Sequence, residues 1–257
     1  VRNAYRRDYA AITAIGLPAA ERDGDVLGRA LMAGNRGISL AYTGELAAAR
    51  PHVARAAQLF ASIGHDLGVG NAELELGTMC SRSDDVAEAA EHAARALLAF
   101  TAAGNEPGQG KALNNLGWYR YRRGDAAGAV QYARRAIDMH RRHGYHRGLA
   151  DALDTLGVAY RAMGDLAAAI AALGDALAES RRIGDRVSAA DCLVSLGDTY
   201  AMAGDPPAAH SSYAEAVAIY AELDDPEVEV ARRKLRSMQV DGPGADGPGA
   251  AARVVPG

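Results

Sequence analysis

The chain has 257 residues, 49% of them hydrophobic, and a formal net charge of −4. That length suits one large domain or two ordinary ones. A slightly acidic balance, with lysine only at Lys111 and Lys234, gives no general attraction to nucleic acid or to an anionic membrane. Cys80 and Cys192, the only cysteines, lie too far apart for a metal motif and too few for a disulfide framework, so a reducing cytoplasm fits. No apolar run nears the roughly 18 residues of a membrane span, and no signal-peptide pattern is present.

In chain order, residues 1–25 read as a degenerate partial repeat. RNAYRRDYAAITAIG (2–16) is the expected second helix of an earlier unit, because Gly24, Leu27 and Gly28 align with Gly64, Leu67 and Gly68. Val1 is not Met, and the expectation is either a piece of a longer protein or a start at an alternative codon. From residue 26 to 223 one pattern recurs every 40 residues: AGNRGISLAYTGELAAA, AELELGTMCSRSDDVAEAA, ALNNLGWYRYRRGDAAGAV, ALDTLGVAYRAMGDLAAAI and CLVSLGDTYAMAGDPPAAH. Glycine falls at Gly37, Gly77, Gly117, Gly157 and Gly197. Alanine falls at Ala49, Ala89, Ala129, Ala169 and Ala209, and again at Ala56, Ala96, Ala136, Ala176 and Ala216. A fixed period of this size means a stacked array.

Each unit reads as two helices. Leu113, Leu116, Gly117 and Arg120 step by three and four, as do Leu153, Leu156, Gly157 and Tyr160. The first helix stops at Gly124, Gly164 or Gly204, and Asp125, Asp165 or Asp205 caps the second. Pro206 and Pro207 fall in a first turn, where a missing N–H costs nothing. The second helix runs to Gly64, Gly104, Gly144 or Gly184. Small residues on facing sides let the paired helices approach closely, and stacking completes the core that one hairpin cannot bury. Asp225-Pro226 is expected to start a capping helix within 224–240, and DGPGADGPGAAARVVPG (241–257) holds too little apolar content to fold, so a disordered tail is expected. The fold class is all-α: a solenoid of five antiparallel helix hairpins.

Leu156-Gly157 with Tyr160, Ala169 and Ala176, and Leu196-Gly197 with Tyr200, Ala209 and Ala216, resemble the tetratricopeptide repeat. The first two units are looser: Arg36 stands in place of the Leu, and Glu73 in place of an apolar residue. The period is 40 where the family commonly has 34. Long, Ala-rich units with Gly184-Asp185-Arg186 are similar to the C-terminal arrays of bacterial STAND-type and antibiotic-regulatory transcription factors. That resemblance implies a right-handed superhelix that binds protein or peptide in a concave groove, next to a nucleotide-binding switch domain outside this chain. A free-standing peptide-responsive adaptor or receptor is the alternative, and an enzyme with an unrecognised groove site a more distant one.

The groove implied by the resemblance runs along the first helices. LGWYRYRRGD (116–125) puts Trp118, Tyr121 and Arg122 on one face, and Lys111, Asn114, Asp154, Val158, Arg161, Asp191 and Asp198 extend it. Aromatic and guanidinium groups of this kind anchor interfaces. The other reading of the same residues is that Trp118 fills a gap between repeats and the arginines are solvated. The family's carboxylate-holding groove uses Lys and Asn; Lys111 and Asn114 match it in part, but Asp151, Asp154 and Asp191 argue against a carboxylate ligand. No direct nucleic-acid contact is expected, because phosphate binding needs many cations and Asp154, Asp198 and Asp205 stand nearby. His140, His143 and His146 straddle a helix end and read as complements to its dipole, not as metal ligands. The cysteines read as small apolar packing groups. No catalytic residue, cofactor or metal is expected: there is no G-x-x-x-x-G-K-[ST], H-E-x-x-H or G-x-S-x-G motif.

Overall fold

The computed structural model describes Gly16, Ala20 and residues 22–240; the helix expected at 2–16 and the tail expected at 241–257 lie outside the described residues. Eleven helices follow one another there: α1 (Val26–Tyr42), α2 (Leu46–Ser62), α3 (Asp66–Arg82), α4 (Val86–Ala102), α5 (Glu106–Arg122), α6 (Ala126–Arg142), α7 (His146–Ala162), α8 (Leu166–Arg182), α9 (Arg186–Ala203), α10 (Pro206–Glu222) and α11 (Val228–Val240). No strand occurs among the described residues. Odd and even helices pair as antiparallel hairpins, each hairpin packs on the next, and α5 also touches α7.

The connectors explain the regularity. After α5 the chain enters the left-handed region at Gly124 (φ 83), the Asp125 N–H donates to Arg120 O at 2.9 Å and the Gly124 N–H to Tyr121 O at 2.9 Å. This closes the last turn in a Schellman arrangement. Asp125 then accepts from the Gly128 N–H at 2.8 Å, satisfying a free amide of α6. The same turn recurs every twenty residues, with Asp84 (φ 65) and Asp224 (φ 51) standing where the other turns have glycine. Aspartate tolerates this region better than most residues because its short side chain bonds locally.

All ten alanines of the two sequence columns are 0% exposed. They sit where the helices of a hairpin meet. A Cβ on Gly117 would stand 3.3 Å from Ala129 O, one on Gly77 3.2 Å from Ala89 O, and one on Gly157 2.5 Å from Leu173 Cγ. The core differs along the array. One continuous cluster runs from Leu113 to Ala231, whereas residues before it fall into smaller clusters around Val53, Phe60, Cys80 and Phe100. Guanidinium groups supplement the stacking there: Arg82 donates to Ala41 O and Arg122 to Ser81 O, each at 3.0 Å. These two arginines are one period apart and neutralise carbonyls at the end of the preceding odd helix.

Glu73, the departure from the apolar pattern, is compensated. It accepts from Arg95 at 2.9 Å and pairs with the buried His92 at 2.7 Å. Burial alone would raise its pKa; the bonds to His92 and Arg95 outweigh that and lower it. The last helix starts later than expected: Pro226 and Glu227 form a turn in which the Glu227 N–H donates to Asp225 at 3.0 Å, and α11 begins at Val228. Ala231, 0% exposed, seats α11 on the core.

Gly157→Leu forces a branched side chain into Leu173, an overpacking worth about 1–3 kcal/mol. Thermal unfolding should move down by about 2–4 °C for each kcal/mol in a domain of this size; an unchanged Tm contradicts the close approach of α7 and α8.

Candidate functional site

The odd helices line a groove on one side of the stack. Its larger part has a cavity volume of about 690 Å³ and extends from α1 to α7; a smaller pocket of about 290 Å³ lies between α5, α7 and α9. Asn114, Asn115 and Asp151 line both. Because every odd helix repeats one register, three columns run along the floor: Leu31, Asn71, Lys111, Asp151 and Asp191; Gly34, Leu74, Asn114 and Asp154; Asn35, Glu75, Asn115 and Thr155. Leucine and glycine dominate the start of these columns, amides and one lysine the middle, and carboxylates the end.

The electrostatics follow that order. Burial raises the pKa of Glu75, with Lys111 opposing, and raises Asp151, with Arg147 and Lys111 opposing. Asp154 is pushed up to about 7 by burial and by the charges of Asp191 and Asp151, against Arg161. Burial also raises Asp191, although the Tyr220 hydroxyl donates to its Oδ1. Lys111 Nζ lies 5.1 Å from the Tyr145 ring centroid, a cation–π distance. Asn114 Oδ1, Asp154 Oδ1 and Ser180 Oγ are buried without a nitrogen or oxygen hydrogen-bond partner among the described residues.

The tetratricopeptide repeat (TPR) family model matches residues 68–142 and 148–222. The chain belongs to the TPR family. Among solved structures, the TPR array is similar to BtubC (BKLC) from P. vanneervenii, with a TM-score of 0.68 and 18% identity over 99% of this chain and 98% of that one. It is similar to a Signal Transduction ATPase with Numerous Domains (STAND) protein with a tetratricopeptide repeat sensor from Pyrococcus horikoshii, with a TM-score of 0.68 and 15% identity. There it covers 84% of this chain and 34% of that one, so this chain spans about a third of that protein. A Rap protein complexed with Competence and Sporulation Factor has a TM-score of 0.65 and 14% identity over 92% of this chain and 70% of that one. No curated protein matches.

The TPR geometry divides the ten groove residues expected from the sequence. Lys111, Asn114, Trp118, Asp154 and Asp191 line the cavities. The other five do not. Val158 is 4% exposed and belongs to the core. Arg122 reaches back to Ser81 and Asp84, and Arg161 donates to Ser195 O at 3.0 Å; both fasten one hairpin to another. Asp198 accepts from the Tyr213 hydroxyl at 2.6 Å and pairs with Lys234. Tyr121 packs on the core and stacks tilted on Trp118, ring centroids 5.4 Å apart. Helical spacing selects a face but not the direction that a long side chain takes. Asn71, Glu75, Asn115 and Asp151 complete the floor; the 40-residue step gives Asn71 and Asp151 from Lys111, and Asn115 and Glu75 from Thr155.

The histidines correct the sequence reading more sharply. His140 is not a cationic helix end: it is 1% exposed, wedged where Gly110 and Gly148 leave room, and edge-on to Tyr145 at 5.3 Å. Burial, then the charge of Lys111, depresses its pKa to about 4, so it is neutral. His143 pairs with Glu106 at 2.6 Å. Cys80 and Cys192 are free and buried, as packing groups, and burial raises both thiols, Cys80 to about 11. Cys80, Glu88 and His92 bring ligand-type atoms within 4.8 Å of one another. Glu88 is engaged by Arg50 and His92 by Glu73, which makes the group an internal ion-pair cluster. No helix among the described residues is long and apolar enough to cross a membrane.

Asp154 gives the groove a pH signature. Its folded-state pKa lies above the ordinary carboxyl value of about 4, so the fold favours the neutral form. The resulting stabilisation is complete below about pH 4 and is lost as pH rises through about 7. Asp154→Asn holds a neutral group at every pH. The variant should therefore melt above the parent at pH 8 and with it at pH 4; a gap that does not change with pH contradicts this environment.

Proposed function

We propose that this TPR array is a non-catalytic scaffold that holds a protein or peptide segment in the groove of its odd helices. We further propose that it is the sensing or docking array of a bacterial transcriptional regulator, working in the cytoplasm beside a nucleotide-binding switch domain. The observation that carries the binding reading is the groove floor, where Asn114 Oδ1 and Asp154 Oδ1 are desolvated and unpartnered among the described residues. A buried acceptor without a donor costs about 1–3 kcal/mol, and a bound segment that supplies donors recovers it. The likeness to a Rap protein complexed with Competence and Sporulation Factor supports a peptide; the likeness to a STAND protein with a TPR sensor supports the regulator. Direct nucleic-acid binding is disfavoured by the carboxylate end of the floor, which repels phosphate.

A second reading, a free-standing peptide-responsive adaptor or receptor, is supported by the same likeness to a Rap protein complexed with Competence and Sporulation Factor. An open reading frame that continues upstream of Val1 into a nucleotide-binding module favours the regulator over the adaptor.

The groove is tested with Lys111→Ala combined with Asn114→Ala. Both residues line the floor, and neither belongs to the helix-contact columns. Helicity by circular dichroism should be unchanged, while calorimetric affinity for octapeptide mixtures should fall at least about tenfold, the loss of one charge-assisted contact. Undiminished affinity places the binding surface elsewhere.

A further inference from the structure

The smaller pocket lies where a series of rings is interrupted. The last turn of each even helix carries, one period apart, Phe60, Phe100, His140, Ser180 and Tyr220. Four of the five are rings that fill the space beside the following odd helix. Phe100 sits where a Cβ on Gly108 would come within 2.4 Å of it, and His140 where one on Gly148 would come within 2.6 Å. Tyr220 fills the last such site and donates its hydroxyl to Asp191. Asp151 holds the same register one period earlier, but the residue opposite it is Ser180, too short to reproduce that donation. Ser180 is 0% exposed, and its hydroxyl meets no nitrogen or oxygen partner among the described residues, only the Cys192 thiol. Where a phenol stands in the next hairpin, this one has the pocket of about 290 Å³.

What surrounds that pocket is almost all acceptor. Asp151, Asp154 and Asp191 bring carboxylates, Asn114 a buried amide oxygen without a donor, Ser180 its hydroxyl, and Trp118 an aromatic wall. From these contacts we infer that the pocket receives the guanidinium of an arginine side chain on the bound peptide, with Asp151 and Asp154 as its anionic partners and Ser180 as the residue that makes room. The inference rests on the peptide-binding reading above and names the chemistry that it recognises. A guanidinium matches the site for three reasons. It carries five donors in a plane, so several acceptors at different angles are served at once. Its face stacks on an aromatic wall. Its charge offsets the mutual repulsion of Asp151, Asp154 and Asp191, of which Asp154 holds a buried, unpartnered oxygen.

The charged and titratable groups facing Asp154 are Asp151 and Arg161 on α7 and Asp191 and the neutral thiol of Cys192 on α9; Lys111 on α5 faces Asp151. A bound cation favours the ionised carboxyl, so affinity should weaken as pH falls through about 7, where Asp154 takes up its proton.

The test uses the full chain and two matched octapeptide mixtures, random except for a fixed fourth position that is arginine in one and citrulline, its neutral isostere, in the other. N-acetyl-arginine amide and N-acetyl-citrulline amide serve as minimal probes. Titration calorimetry gives affinity, and the indole N–H signal of Trp118, the only tryptophan in the sequence, reports occupancy. The expected result is at least tenfold tighter binding of the arginine mixture, with a shift of the Trp118 signal. Asp151→Asn and, independently, Asp154→Asn should each abolish the discrimination with helicity retained. Equal affinity for arginine and citrulline mixtures overturns the guanidinium pocket and leaves the peptide groove standing. Binding of N-acetyl-arginine amide without any mixture keeps the pocket and removes the peptide reading. No binding of any probe overturns both.

Discussion

Helix pairs in this protein approach one another through positions that carry one carbon or none. The fully buried alanine columns and the glycines that face them set how near each odd helix lies to its even partner, and every larger feature follows from that distance. A spacing fixed identically five times produces a regular stack. A regular stack aligns the same register of each odd helix along one groove. Interiors are close-packed and tolerate little added volume, so these columns leave few alternatives for the fold.

Within so regular a frame, function resides in departures from the repeat. Ser180 lines a pocket where the other even helices carry a ring, and Asp151, Asp154 and Asp191, in columns that earlier hold apolar groups, amides and a lysine, give it a charge. Exchange of an apolar residue for Glu73 produces a buried hydrogen-bonded pair with His92 instead, because a partner lies within reach. The contrast separates structural from functional polarity. Glu73 is matched inside the chain, whereas Asp154 Oδ1 and Asn114 Oδ1 have no donor among the described residues. An unmatched desolvated acceptor costs stability, and ligand binding is a process that recovers it.

The hairpins, their caps and their small-residue columns were legible in the sequence because each is a local rule repeated five times. Helix α11 was legible in existence but not in its start, since Pro226 suits either a first helical turn or the tight turn that it forms. The groove was half legible. Lys111, Asn114, Trp118, Asp154 and Asp191 lie on the floor because their Cα positions face it. Arg122 and Arg161 share that face, but their long side chains swing to carbonyls of neighbouring hairpins. His140 misled because helix-end position predicts a solvated cation only when the side chain points outward; here Gly110 and Gly148 give it room inside. Ser180 was invisible by itself, and only the comparison with Phe60, Phe100, His140 and Tyr220 gives its size a meaning.

The central claim, that a partner's side chain takes the place of the missing ring, is tested most directly by isotope-filtered NMR on the labelled chain with an arginine-bearing octapeptide. The account predicts intermolecular Overhauser contacts from the arginine δ-protons to the Trp118 indole and to the Ser180 β-protons. Contacts confined to outward-facing residues of the even helices, such as Glu91 or Arg135, would contradict it.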